Sequence, residues 1–120
     1  MTSKQEWLID FYVDERGDSP VEAYIESLDD KTQNRLAWSI EELRLRNIHA
    51  RTPLVKRVDG KLWELREESG KNIYRIVYFF FTGRRIVLLH GFQKKTQKTP
   101  SREIEIAQKR MDDFLRREGN

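Results

Sequence analysis

Two short runs near the middle of the chain alternate their side chains with a period of two. They are residues 62–66 (LWELR) and 74–78 (YRIVY), and this period is typical of β-strands. The polar, glycine-containing connection between them favours a β-hairpin. A hairpin that pairs Arg66 near Ile73 places six residues on one sheet face: Leu62, Glu64, Arg66, Ile73, Arg75 and Val77. Two guanidinium groups side by side on paired strands repel each other, which indicates that an anion lies over this face.

The remaining pattern predicts a single α+β domain over residues 1–120. A strand at 6–13 has Trp7, Ile9 and Phe11 on one face, and a weaker strand at 54–58 precedes the hairpin. After the hairpin, a tight turn at 82–84 leads into a further strand at 85–92. Successive strands joined by short polar turns are typical of an antiparallel meander. The strands therefore predict a small antiparallel β-sheet.

Three helices are predicted to pack on this sheet. The first begins at Ser19-Pro20, where Ser19 caps the helix, Pro20 suits its first position and Glu22 completes a capping box. The second begins at Asp29-Asp30 and runs to about Arg46. The third begins at Thr99-Pro100 and is amphipathic, with apolar residues at helical spacing. The two N-terminal helices form a helical hairpin that covers a sheet face.

Charge is distributed unevenly along the chain. The formal net charge is +3, but residues 1–30 carry nine acidic and two basic groups, which leaves +10 for residues 31–120. Six basic residues and no acidic residue lie between Thr82 and Arg102. A localised positive surface attracts phosphate backbones. Lys98 lies in this stretch and is predicted to bind RNA together with Lys56 and Arg57, and the alternative is a solvated basic face.

Several classes of protein are disfavoured by the composition. The chain has no cysteine, so it has no disulfide, no thiolate nucleophile and no cysteine-based zinc site. The two histidines, His49 and His90, have no metal-site spacing, and neither a metal nor a cofactor is expected. No signal peptide is predicted, and no apolar run approaches the roughly 20 residues of a membrane helix. A cytoplasmic protein is therefore expected.

The remaining chemically interesting residues are mostly basic: Arg66, Arg75, Lys94 and Lys95. RNA can be cleaved without a metal, because its own 2′-OH can attack the adjacent phosphodiester. Fixed guanidinium and ammonium groups then stabilise the extra negative charge of the phosphorane. Glu64, a lysine of lowered pKa, or His90 could act as the base or the acid. The alternative for each residue is a structural role, such as an ion pair between Arg66 and Glu64, Glu67 or Glu68.

Three blocks of the sequence together resemble toxins of the RelE/ParE superfamily, in the phage-derived, HigB-like branch of type II toxin–antitoxin systems. They are residues 62–66, residues 74–78 and residues 90–100 (HGFQKKTQKTP), followed by the amphipathic C-terminal helix. The resemblance implies a RelE-like fold and cleavage of mRNA in the ribosomal A site. It also implies that Arg75, Lys94 and Lys95 contact the scissile phosphate with help from Arg66. Some RelE-type enzymes have a lysine where this chain has Glu64, which makes Glu64 a candidate general base.

The resemblance further implies partners: the ribosome, mRNA and an antitoxin, usually a helix-turn-helix protein encoded alongside. The acidic first 30 residues are a candidate docking surface for the antitoxin. Two other functions stay open, because one fold can serve several activities. One is a ParE-type toxin that inhibits DNA gyrase without cutting RNA, and the other is a module that only binds its antitoxin or nucleic acid.

Overall fold

The structure is a computed structural model that describes residues 6–94 and 98–118, without the side chain of Lys94. Its elements, in chain order, are β1 (Leu8–Phe11), α1 (Pro20–Glu26), α2 (Asp30–Arg46), a 3₁₀ turn (Asn47–His49), β2 (Val55–Asp59), β3 (Leu62–Ser69), β4 (Asn72–Phe81), β5 (Arg85–Lys94) and α3 (Ser101–Arg117). The predicted α+β class, with two N-terminal helices and a C-terminal helix, is confirmed. The fold is consistent with a RelE-like fold. Within the described residues, no helix has the length and apolar character needed to cross a membrane.

The five strands form one sheet in the order β1-β5-β4-β3-β2. The meander from β2 to β5 is antiparallel, as predicted. β1, however, pairs with β5 in parallel, so the sheet is mixed rather than wholly antiparallel. A parallel pair needs a long connection, and here most of the chain separates β1 from β5. The strand pattern alone could not reveal this, because alternation gives the faces of a strand but not its direction.

The two N-terminal helices begin where predicted, and α3 begins at Ser101, directly after the predicted start at Thr99-Pro100. Ser19 accepts a hydrogen bond from the Glu22 amide at 3.4 Å, and Pro20 occupies the first turn of α1. The carboxylate of Asp29 likewise accepts from the Thr32 amide at 3.3 Å and caps α2. These bonds satisfy amide groups that the helices themselves leave without partners.

The β3–β4 hairpin is tighter than the predicted one. Ser69 pairs with Asn72 across a two-residue turn, in which Gly70 has a φ of +62° that suits glycine. Arg66 consequently pairs with Arg75, and Glu68 rather than Arg66 pairs with Ile73. The predicted register was wrong by two residues, but the predicted faces were correct, because a shift of two residues keeps every side chain on its face.

The sheet separates two apolar clusters. On one face, α1 and α2 contribute Val21, Leu36 and Leu43, which pack with sheet residues that include Leu65 and Ile76. On the other face, α3 packs on the sheet through three buried side chains: Ala107, Met111 and Phe114. Glu64, Arg66 and Arg75 belong to the α3 face, at the end of the sheet where the β3–β4 turn lies.

Candidate functional site

Two arginines and one glutamate meet on the α3 face of the hairpin. Arg66 and Arg75 are directly opposite each other in β3 and β4. The Glu64 carboxylate lies beside both, with Oε2 3.3 Å from Arg75 Nη1 and 3.6 Å from Arg66 Nε. Glu64 and Arg75 have no solvent-exposed surface, whereas 13% of the Arg66 side chain is exposed. The chain thus supplies an anion for its own arginine pair.

Thr99, just before α3, completes this cluster. Its hydroxyl accepts a hydrogen bond from Arg75 Nη1 at 3.2 Å and donates one to Glu64 Oε1. Thr99 is itself buried. We name Glu64, Arg66, Arg75 and Thr99 the charged cluster. The sequence marks Thr99 only as a helix start, because nothing in the spacing connects this threonine with Arg75 and Glu64, which lie 24 and 35 positions earlier.

The surroundings of Arg75 lower its pKa on balance. Burial lowers the pKa of Arg75, the Glu64 carboxylate raises it, and the neighbouring Arg66 lowers it further. An arginine remains protonated even so. The charged cluster thus combines two guanidinium groups with one carboxylate, and Arg66 is its partly exposed member.

His90 is brought to the same face of the sheet by an irregularity in β5. The register shifts where Val77 pairs with His90 and Tyr78 pairs with Leu88, so that Leu89 is the extra residue of a bulge. The His90 ring stacks on Phe92, with ring centroids 5.4 Å apart.

Both ring nitrogens of His90 are engaged. Arg110 donates to Nδ1 at 3.1 Å, and Nε2 lies 2.5 Å from a Glu103 carboxylate oxygen. A neutral ring protonated on Nε2 satisfies both contacts, because Nδ1 must accept from arginine. Burial is the main cause that lowers the pKa of His90. The ring is thus held as a structural link to α3, which disfavours its predicted role as acid or base.

The other predicted site residues differ in their exposure and in their contacts. Lys56 pairs with Glu64 across β2 and β3 and is exposed, and Lys98 is exposed immediately before Thr99. Arg57 instead donates to the Gly60 carbonyl at 3.0 and 2.9 Å, which closes the β2–β3 turn. The backbone of Lys94 pairs with Ile73 at the end of β5. Its side chain, like the whole of Lys95, lies outside what the structure describes.

A family of proteins matches most of this sequence. The family is described as "Phage derived protein Gp49-like (DUF891)", and the match covers residues 23–112. The chain belongs to the Gp49-like family. The match runs from α1 into α3 and includes the whole charged cluster. No curated protein is significantly similar to the chain.

Membership of the Gp49-like family supports part of the predicted function. Gp49-like proteins are toxin-like, phage-derived modules in the RelE and toxin–antitoxin context. The assignment to the HigB-like branch stays a prediction.

A cleft of mixed charge borders Arg66 in this Gp49-like protein, and its other charged lining residues are Arg46, Glu42, Glu67 and Glu68. It has a volume of about 460 Å³ and lies between α2 and the end of β3, where Arg66 and Glu67 contribute to its wall with Arg46 and Leu54. Within residues 6–94 and 98–118, no three histidine or acidic side chains are arranged to hold a metal ion. The charged cluster itself offers guanidiniums, a carboxylate and a hydroxyl for chemistry.

Proposed function

We propose that this Gp49-like protein is the toxin of a type II toxin–antitoxin system and cleaves mRNA on the ribosome. The observation that carries the proposal is the environment of the Thr99 hydroxyl. This hydroxyl donates to the Glu64 carboxylate and accepts from the Arg75 guanidinium. A ribose 2′-OH at the same place would find a carboxylate to take its proton and a cation beside the phosphate that it attacks.

The proposed reaction needs no metal. Glu64 takes the 2′-OH proton, the 2′-oxygen forms a bond to phosphorus, and the bond from phosphorus to the 5′-oxygen breaks. The products are a 2′,3′-cyclic phosphate and a 5′-OH, and the leaving oxygen receives a proton from an acid for which Lys94 and Lys95 are the candidates. Arg66 and Arg75 stabilise the phosphorane, where loss of one fixed donor typically costs roughly 10²–10³ in rate.

The proposal requires that RNA displace Thr99. Glu64 and Arg75 are covered in this structure, so the substrate must first meet Arg66, whose side chain is partly exposed and borders an open cleft. The exposed Lys56 and Lys98 would then bind the flanking phosphates. Arg57, which is engaged by Gly60, has a weaker case as an RNA-binding residue.

The partners follow from the same proposal. A toxin of this kind acts in the cytoplasm, on mRNA held by the ribosome, and is neutralised by an antitoxin, for which a helix-turn-helix protein is the candidate. Neither a metal nor a cofactor takes part in the proposed reaction.

A ParE-type toxin that inhibits DNA gyrase is the second candidate. The state of Arg75 favours this candidate, because Arg75 is paired with Glu64 and has no exposed surface with which to bind RNA. A cluster of this kind can also serve only to hold the hairpin to α3. A protein that binds its target through another surface has no need of an accessible Arg75.

Metabolic labelling in bacteria separates these two functions. After induction, the incorporation of labelled methionine reports on translation, and the incorporation of labelled thymidine reports on DNA replication. The proposal predicts that methionine incorporation falls first, and that Arg66→Ala abolishes this fall. Arg46→Ala is the matched control, because Arg46 borders the same cleft but pairs with Glu42 on α2. An earlier fall in thymidine incorporation would contradict the nuclease and support gyrase inhibition.

A further inference from the structure

An acidic groove lies between α1 and α2, on the face of the sheet opposite the charged cluster. Four apolar side chains contribute to its lining: Phe11 from β1, Ile25 from α1, and Ala37 and Ile40 from α2. Its volume is about 340 Å³, at the lower end of the roughly 300–1,000 Å³ of typical ligand clefts. An apolar groove between two helices is a common place for an amphipathic helix to bind.

The rim of this groove is negatively charged. Glu22 and Glu26 of α1 and Glu41 of α2 line it. Arg44 donates to Glu41 at 2.6 and 3.0 Å and compensates that charge. Among the described residues, neither Glu22 nor Glu26 forms an ion pair. Two uncompensated carboxylates therefore lie beside an apolar floor.

The negative surface continues past the groove. A second cleft, of about 550 Å³, shares Glu22 and Glu26 with the first and adds Asp14 and Asp18. Among the residues that the structure describes, Arg110 is the one basic residue in its lining, and it already donates to His90 and to the Leu89 carbonyl. This surface has the opposite sign to the chain as a whole, whose net charge is +3. Such an asymmetry selects a partner by charge.

We propose that the α1–α2 groove binds a basic amphipathic helix of a partner protein, with apolar side chains on the floor and lysines or arginines beside Glu22 and Glu26. The inference does not depend on the nuclease activity. Because α1 and α2 cover the face opposite Glu64 and Arg75, a helix in the groove would leave the charged cluster uncovered. If the partner is the antitoxin, it therefore needs a second segment to block the cluster.

Fluorescence anisotropy with a labelled synthetic peptide tests the groove. The probe is a 14-residue helical peptide with leucines at every third or fourth position and lysines elsewhere. Two further peptides serve as comparisons, one with glutamate in place of lysine and one with glutamine in place of leucine. The proposal predicts saturable binding of the first peptide, and binding of the other two that is weaker by about tenfold or more.

Variants of the protein separate groove binding from general attraction to negative charge. Ala37→Lys puts a cation on the groove floor, and Glu22→Gln with Glu26→Gln removes the rim charge; each should weaken binding by about tenfold. The controls are Asn34→Lys, which adds the same charge to α2 outside the groove, and Glu105→Gln with Asp112→Asn on exposed positions of α3. Wild-type affinity in Ala37→Lys, or equal losses in the controls, would overturn the proposal.

The same variant tests whether a second copy of the chain occupies the groove. The proposal predicts that the protein alone sediments as a monomer at concentrations where the peptide binds. A dimer that Ala37→Lys dissociates would overturn the assignment to a basic helix of another protein. Circular dichroism and thermal unfolding of each variant establish that the fold is intact.

Discussion

Arg66 and Arg75 occupy directly opposite positions in adjacent antiparallel strands. Like charges at such positions destabilise a sheet, and Arg75 in addition lies fully out of solvent. The carboxylate of Glu64, on the same face, approaches both guanidiniums. The arginine pair therefore depends on Glu64, and this dependence decides how variants of the site must be designed. Arg75→Ala, for example, leaves a buried carboxylate without its main cation and confounds loss of activity with loss of folding.

Replacing Glu64 by glutamine should destabilise the protein strongly. Removal of one partner from a buried ion pair typically costs roughly 3–5 kcal/mol in the free energy of unfolding, and here two arginines lose their shared anion. Denaturant unfolding monitored by circular dichroism measures the loss. Glu67→Gln is the matched control on the same strand, because Glu67 is partly exposed and pairs with Arg35 at 3.5 Å; about 1 kcal/mol or less is expected there. Equal losses in the two variants would contradict the account.

Thr99→Ala should lower the stability of the protein and also lower its KM for ribosome-bound mRNA. Thr99→Ala removes a hydroxyl that bonds Glu64 and Arg75, and leaving such buried groups without a partner costs about 1–3 kcal/mol. Under the proposed mechanism the substrate no longer has to displace this hydroxyl. The KM for ribosome-bound mRNA should therefore fall while kcat stays near the wild-type value.

Thr99→Ser is the control for this prediction, because serine keeps the hydroxyl and should restore the wild-type stability and KM. A Thr99→Ala protein that loses kcat at unchanged KM would show that Thr99 takes part in the reaction. That result would contradict its proposed role as a place-holder for the 2′-OH.

His90 should make stability depend on pH below neutrality. Burial lowers the pKa of His90 in the folded chain, so the unfolded chain, with a pKa of about 6.5, binds the proton more readily. Glu103 and Arg110 of α3 both face the ring and act on its charge in opposite directions. The contribution of neutral His90 to the free energy of unfolding is therefore complete above about pH 6.5. It is lost as the pH falls towards the folded-state pKa.

Denaturant unfolding of wild type and His90→Gln between about pH 5 and 8 measures this contribution. The difference in the free energy of unfolding between the two proteins should decrease as the pH falls. His49→Gln, which removes the other imidazole at an exposed position in the 3₁₀ turn, provides the control. A difference for His90→Gln that stays constant over the whole range would refute the prediction.

Gly91→Ala should destabilise the contact between β5 and α1. A Cβ atom at this position would lie 2.9 Å from Cγ and Cε2 of Tyr24 and closer still to Cδ2, whereas real Cβ contacts essentially never fall under 3.0 Å. Overpacking of this kind typically costs about 1–3 kcal/mol. Thermal unfolding measures the loss, and Tyr24→Ala in the same background should make the added methyl group harmless. If Gly91→Ala lowers the thermal stability equally with Tyr24 present and with Tyr24→Ala, a clash with Tyr24 is not the cause of the loss.

Much of the fold could be predicted from local patterns. Pro20 and the caps Ser19 and Asp29 marked two helix starts, because a cap acts on amides within three residues of it. Alternation gave the correct sheet faces even though the hairpin register was off by two residues. The parallel pairing of β1 and the bulge at Leu89 could not be predicted, because both depend on how distant segments fit together rather than on any local preference.

The candidate site was predictable only in part. Glu64, Arg66 and Arg75 could be placed together because they belong to one hairpin. The burial of Arg75 and the role of Thr99 depend on the approach of the segment before α3 to the hairpin, which leaves no mark in the sequence. His90 was a reasonable acid–base candidate until the structure showed Glu103 and Arg110 at its two nitrogens. These contacts come from a helix that begins after β5, and they depend on how that helix packs on the strand rather than on a local pattern.

Primer extension on a reporter mRNA translated in vitro tests the central claim most directly. Reactions contain the wild-type protein, Arg66→Ala, Arg46→Ala as the matched control, or no protein, and a parallel set omits ribosomes. The account predicts new cuts within the reading frame for wild type and Arg46→Ala, greatly reduced cuts for Arg66→Ala, and none without ribosomes. An intact mRNA under active translation with the wild-type protein would contradict the proposal that the charged cluster cleaves RNA.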